Sequence, residues 1–337
     1  MALRMCRYGT CNVWRKNAII KDEKGLPNFM TLFFMDPADG KPDEKDIPDM
    51  FKVRGKIMQG VAISQFFNTN IKGVPCSLPY AMPWKNVSLK SAQEACSEKG
   101  KNWHLLTNTE FVYLLGEARK MAHTIHGNTC HGVCADAPDE KGVLYDGYCT
   151  LTGLDPLAWS HDGTADGVFG LCGNYWEPVT GLRLAAGVVQ YIKENDAAAV
   201  DSSKDSKEWI TAAVDGKELK LYGNNGVTLT TGEVKKDWDG AHYSELRLDG
   251  LEEVPKIALK LGLVPPDYKT EKAGIWADSA LDEALPYRGS AFGHTSHGGP
   301  AALYLYHTRA HSYHNISFRS ALLLENWELV TEALEGA

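Results

Sequence analysis

The sequence predicts an α+β protein on three observations: a strand-turn-strand pattern opens the chain, two capped amphipathic helices follow between Ser88 and Gly127, and the remainder reads as short strands, aromatic residues and glycine turns. In the opening pattern, Ala18-Ile19-Ile20 and Met30–Phe34 flank Asp22-Glu23-Lys24-Gly25, a polar turn closed by a residue free to take positive φ. Asp36–Met50 is dense in Pro, Asp and Lys and is expected to be a linker or long surface loop. It divides a β-rich attachment or assembly segment, residues 1–50, from a main domain, residues 51–337.

Each helix has a start signal, an apolar stripe and a stop signal in order. Ser88 caps a helix whose Leu89, Ala92 and Cys96 share one face before Gly100 ends it. Thr107-Asn108-Thr109-Glu110 has the spacing of a capping box, in which hydroxyl and carboxylate each satisfy the other residue's free backbone donor. Phe111, Leu114, Leu115, Ala118, Ala122 and Ile125 then recur at helical period, so this helix is expected to run to Gly127. From Gly142 onward the pattern turns to β and irregular structure, with no internal repeat. Lys193–Glu253 is polar and is read as an insertion carrying a hairpin at Asn224-Asn225-Gly226, the whole inserted region spanning about 193–280.

Composition removes several function classes. A net charge of -8 and the absence of a dense Lys/Arg run argue against a nucleic-acid partner. No stretch approaches the ~18 consecutive apolar residues of a membrane span, and Met1–Lys21 lacks the layout of a secretory signal. Eight cysteines in 337 residues are too sparse for a disulfide-built scaffold and are expected to be reduced thiols. Cys130-His131-Gly132-Val133-Cys134 and Cys6…Cys11 have neither CxxC spacing nor a second matching pair, so no zinc site is expected from them.

Four motifs in fixed order carry a family resemblance. They are Val87-Ser88…Trp103-His104-Leu105-Leu106-Thr107-Asn108-Thr109-Glu110; Leu151-Thr152-Gly153…Trp159-Ser160-His161-Asp162-Gly163-Thr164; Gly173-Asn174-Tyr175-Trp176-Glu177; and Arg288-Gly289…Phe318-Arg319. Together they resemble the formylglycine-generating-enzyme subtype of the C-type lectin fold over about Tyr80 to Leu324. Within it, Arg288–Arg319 resembles the variable region of proteins diversified by diversity-generating retroelements, the phage tail and surface proteins that include the major tropism determinant. Arg288, Gly289, Leu303, Leu305, Arg309, Asn315, Ile316, Phe318 and Arg319 match that pattern. Where the pattern commonly has Asn, this chain has His294, His297, Tyr304, Tyr306, His307, His311, Tyr313 and His314. A change at the first adenine of an AAC codon yields His or Tyr, and all eight fit.

The resemblance implies a variable region at 288–322 whose exposed side chains select a ligand: those eight residues, with Ala291, Phe292 and Ser296 as weaker candidates because Phe292 sits where the family often has a buried Trp. It implies a phage tail-tip adhesin located in the virion; the alternatives are a diversified adhesin displayed on a bacterial cell surface and, behind that, a metal-binding enzyme of the formylglycine-generating-enzyme superfamily. Its partners would be a host cell-surface protein or glycan, other tail proteins and further copies of itself, a trimer by analogy. Some relatives hold a structural calcium in a loop; no cofactor is expected here. Gly173–Glu177 would be a core turn and strand, with Pro178 in place of the usual second aromatic, and Arg288 and Arg319 would be scaffold residues.

The residues of the segment support a binding face on their own. Leu303-Tyr304-Leu305-Tyr306 alternates with period two, so a strand buries both leucines and turns both tyrosines outward. Five of the 11 histidines fall at 294, 297, 307, 311 and 314. Tyr offers large amphipathic contact area with only two χ angles, and neutral His offers a donor and an acceptor. Unperturbed histidines titrate near ~6.5, which would make such a face pH-sensitive. Two other readings remain: a face covered by the insertion or by another subunit, and a zinc or nickel site at His294-x-x-His297, His307-x-x-x-His311 or His311-x-x-His314. No Cys or carboxylate lies within the segment to complete the latter.

Catalysis is not expected. The family's cysteine-oxidising members need a late Cys pair that binds copper, and no Cys follows Cys172. Its iron-dependent relatives need a His-rich helical domain, and Met1–Pro79 has no His. G-x-S-x-G, a phosphate-cradling glycine loop and H-E-x-x-H are all absent. Asp136, Asp139 and Glu140, or Asp162 and Asp166, are read as solvated loop charge rather than paired acid and base.

Overall fold

The two helices start where their caps predict. The computed structural model, which describes residues 3–335, places α1 at Leu89–Ser97 and α2 at Asn108–Lys120. Ser88 accepts a hydrogen bond from the Ser91 amide, and Leu89, Ala92 and Cys96 are the buried face of α1. At α2, Thr107 Oγ1 accepts from the Glu110 amide at 3.1 Å while Glu110 Oε2 accepts from the Thr107 amide at 2.9 Å. The helix stops short of Gly127 because Ala122 turns left-handed, at φ 52°, and the His123 amide closes on the Ala118 carbonyl. Ala122, counted in the apolar stripe, is exposed at this turn, while Ile125 is buried from the loop beyond the helix, in the core that holds Phe111 and Leu114.

The described part of residues 1–50 shares a sheet with the main domain and is not a separate segment. Arg4–Tyr8, Cys11–Lys21 and Pro27–Phe34 continue, through Gly60–Ser64 and Ser320–Leu324, into one antiparallel sheet that ends at Trp103–Leu105. The expected turn joins its second and third strands, with Ala18 opposite Met30 and Gly25 at φ 79°. Of the two readings of Asp36–Met50, the long surface loop holds, since only Ile47 and Met50 are buried in it, and the linker does not: those two, with the following Phe51, pack into the same core as Val61, Phe111 and Leu114. A buried ionic knot adds to this join. Arg15 bonds Glu117 of α2 at 2.8 Å and Asp162 at 2.7 Å, and His161 reaches the second oxygen of Glu117 at 3.2 Å.

The region 193–280 is likewise no appendage. Trp238–His242 and Gly274–Asp278 are two strands of a five-stranded sheet completed by Leu303–His307, Leu285–Arg288 and Glu177–Pro178. The expected hairpin forms from Lys220–Gly223 and Val227–Thr230, turning at Asn225 and Gly226 with φ 49° and 101°. Its Leu221 and Leu229 share a core with Leu303 and Leu305. The charged residues of the stretch are all exposed or half-buried, while its polar Thr228 and Thr230 are buried within the hairpin. All eight cysteines are free thiols.

Candidate binding face

Leu303–His307 is an inner strand, antiparallel to Leu285–Arg288 on one side and parallel to Gly274–Asp278 on the other. Leu303 and Leu305 are fully buried, as the alternation predicted. Tyr304 is on the opposite face yet only 6% exposed, which corrects its placement as an outward contact residue. The ring of Trp176 lies 3.7 Å from it, centroid to centroid, and that of Trp276 4.1 Å. Its hydroxyl shares a 2.6 Å hydrogen bond with His294 Nε2. Tyr306, two residues on, is half-buried beneath Trp238, whose ring stacks on it at 6.1 Å.

From Tyr306 the rings continue without a break. His307 lies 4.0 Å from Tyr306 and stacks face to face on His311 at 3.7 Å, with Tyr287 against both. Tyr313 follows at 6.4 Å from His311, His314 at 4.3 Å from Tyr313, and Phe292 at 5.9 Å from His314. Tyr148, 53% exposed, stacks on Phe292. A second branch pairs His297 with His242 at 4.1 Å, beside Trp276.

Ser296, Tyr313 and His314 are exposed, and His294, His297, Tyr306, His307 and His311 half-buried. Ala291 and Phe292 are buried, a correction to their inclusion among exposed positions. Ser290 turns left-handed, at φ 68°, and Phe292 packs into a small cluster with Phe67, Cys149 and Tyr175. Trp238, Trp276, His242 and Tyr148 belong to the face but were not foreseen. Three of them lie in the stretch read as an insertion, where the short apolar run Ile275-Trp276-Ala277 is the signal consistent with a buried strand.

Segment 288–319 is clamped at both ends by Gly173–Glu177. The Gly173 amide donates to the Gly289 carbonyl at 2.6 Å, the Trp176 amide to Asn315 at 2.9 Å, and the Ser317 amide back to Trp176 at 3.1 Å. Asn174 serves the neighbouring backbone, accepting from the Thr150 amide and donating to its carbonyl. Pro178 sits on the outermost strand of the sheet, where its missing N–H costs little. Arg288 and Arg319 are wholly buried. Arg288 bonds Asn108 and the carbonyls of Leu261 and Gly262, while Arg319 bonds Glu177 at 2.6 Å and the Phe169 carbonyl at 2.8 Å. Arg309 forks onto Glu283 with both contacts under 3 Å.

The electrostatics of the face differ from the expectation of histidines titrating near 6.5. Burial holds His294, His297, His307 and His311 below the ordinary imidazole range, with His242 adding to the effect at His297 and His311 at His307, which is pushed down to about 3. At neutral pH these four rings are uncharged amphipathic surface. Compared with known protein-family models and with curated proteins, the chain matches none. No helix among the described residues is long and apolar enough to cross a membrane.

Proposed function

We propose that the chain is a diversified ligand-binding protein built on a C-type lectin-type domain of the formylglycine-enzyme subtype, acting as a receptor-binding adhesin of a phage tail rather than as an enzyme. The observation that carries the reading is the run of His and Tyr rings on a segment whose two ends are hydrogen-bonded to Gly173–Glu177. Rigid aromatic side chains lose little conformational entropy on binding, and a backbone fixed at both ends presents them preorganised. The contacting set is Ser296, Tyr313 and His314 with the half-buried His294, His297, Tyr306, His307 and His311. Ala291, Phe292 and Tyr304 act beneath it, as support.

The ligand is a host cell-surface protein or glycan. A face of eight or so residues is smaller than the ~800 Å² per partner of a standard interface, so adsorption draws on avidity between copies of a homo-oligomer carried in the virion. The test is to sequence the DNA downstream of the gene for a near-copy of the codons for Arg288–Leu322. A copy that differs almost only at its adenines, next to a reverse-transcriptase gene, supports the reading and its mismatches name the contact residues. Absence of any such copy removes diversification from it.

A further inference from the structure

Three residues that no motif links converge beside Trp159. His126 lies in the loop after α2, Cys134 ends the short strand Val133–Cys134, and Glu140 lies on its partner strand Ala137–Lys141. Val133 pairs with Lys141 but Cys134 with Ala137, so residues 138–140 bulge out of register and bring Glu140 beside the thiol. One donor atom from each of the three lies within 4.8 Å of the others, and His126 Nδ1 is 3.0 Å from both carboxylate oxygens of Glu140. We propose that His126, Cys134 and Glu140 bind a zinc ion as three protein ligands, with water as the fourth.

The donor set selects the metal. A thiolate and an imidazole suit zinc and disfavour calcium or magnesium, which take oxygen. Zinc bonds of ~2.0–2.3 Å put tetrahedral donors roughly 3.3–3.6 Å apart, so a side-chain rotation of about 1 Å closes the observed triangle. The surroundings are those of a metal site. Cys134 is buried against Phe66, Trp159 and Phe169, an apolar wall that no ion pair requires. Trp159 Nε1 donates to Glu140 Oε2 at 2.9 Å and so orients the carboxylate, and the His126 amide is fixed to the Ala158 carbonyl. His126 and Glu140 each keep 26% of their side chain exposed, which leaves a path for water on the fourth side. Binding displaces the thiol proton to solvent and moves any proton on the coordinating imidazole nitrogen to the other one.

The site bears on the rest of the molecule through the turn that it anchors. Between His126 and Cys134, Asn128 accepts from the Asn174 amide, Thr129 from that of Thr295, and the His131 amide donates to the Phe292 carbonyl. A metal at 126, 134 and 140 would therefore brace the floor under residues 291–298, whatever the face above them binds.

Cobalt(II) titrated into the metal-free full chain, followed by zinc competition, tests this. One equivalent is expected to bind with a thiolate-to-cobalt charge-transfer band that zinc abolishes. Cys134→Ser removes the band. His126→Gln and Glu140→Gln, at partly open positions that tolerate the change, each lower affinity at least ~10-fold with an unchanged circular dichroism spectrum, and Trp159→Phe lowers it about 10-fold. The proposal is overturned if well under one equivalent binds, if the band is absent, or if binding survives the His126 and Glu140 substitutions but is lost with His307→Ala plus His311→Ala, which would mark an adventitious ion on the surface histidines.

Discussion

Arg319 and His314 are five residues apart and lie in opposite kinds of environment. Every residue from Ile316 to Ser320 is buried, and the Arg319 guanidinium is held by a carboxylate and by backbone carbonyls. His314 is exposed and packs its ring against those of Tyr313 and Phe292. One region is specified by directional bonds between charged and polar groups that cannot be replaced singly. The other is specified by stacking, which any flat ring of similar size satisfies. A chain that keeps the first and varies the second alters its surface without altering its fold.

The contrast is broken first at the frame. Arg319→Met leaves Glu177 as a buried, uncompensated carboxylate and is expected to cost about 3–5 kcal/mol in urea unfolding, part of which is recovered when Glu177→Gln is added. Next comes the position that sequence alone assigns to the wrong side. Tyr304→Ala is expected to cost about 3 kcal/mol, as for a core aromatic, and Tyr304→Phe about 1 kcal/mol through the lost bond to His294, both read by the same unfolding curves.

A smaller effect depends on pH. His307 is neutral in the folded protein down to about 3, whereas in the unfolded chain it protonates near ~6.5. Between those values the unfolded chain binds more protons, so the contribution of His307 is full above pH ~6.5 and is lost as pH falls toward 3. His307→Gln should therefore lessen the loss of stability between pH 7 and pH 4, by on the order of 1–2 kcal/mol once partial exposure is discounted, in thermal melts across that range. The smallest effects belong to the open positions: Ser296→Ala, Tyr313→Ala and His314→Ala are each expected within about ±0.5 kcal/mol of the parent in urea unfolding.

What was legible in the sequence was local. Capping boxes, the Asp22–Gly25 turn and the Asn225-Gly226 hairpin are set by residues a few positions apart, and each formed where its residues lie. The Leu303/Leu305 alternation named the buried face correctly. What failed needed partners from elsewhere in the chain. Tyr304 faces away from the leucines, but Trp176 and Trp276 cover it, and neither is near it in sequence. Composition misread the join at residue 50 and the inserted region, because Ile47 and Met50 stand among prolines and aspartates, and Ile275 and Ala277 lie in a region judged by its polar residues. His294 and His297 pack on Trp176, Trp276 and His242 from elsewhere in the chain, and the low basicity of His307 comes first from burial, which spacing does not report.

The strand Ser320–Leu324 lies between Gly60–Ser64 and Trp103–Leu105. During synthesis, a ribosome that has reached Arg319 has therefore already delivered both flanking strands without the one that joins them. Until Leu324 has left the exit tunnel, the sheet exists as two pieces with open edges, and closing it requires contacts across more than two hundred residues of chain. Closure of this sheet therefore waits on a strand far downstream of both its neighbours, and until it arrives their unpaired edges are open to pairing with other chains.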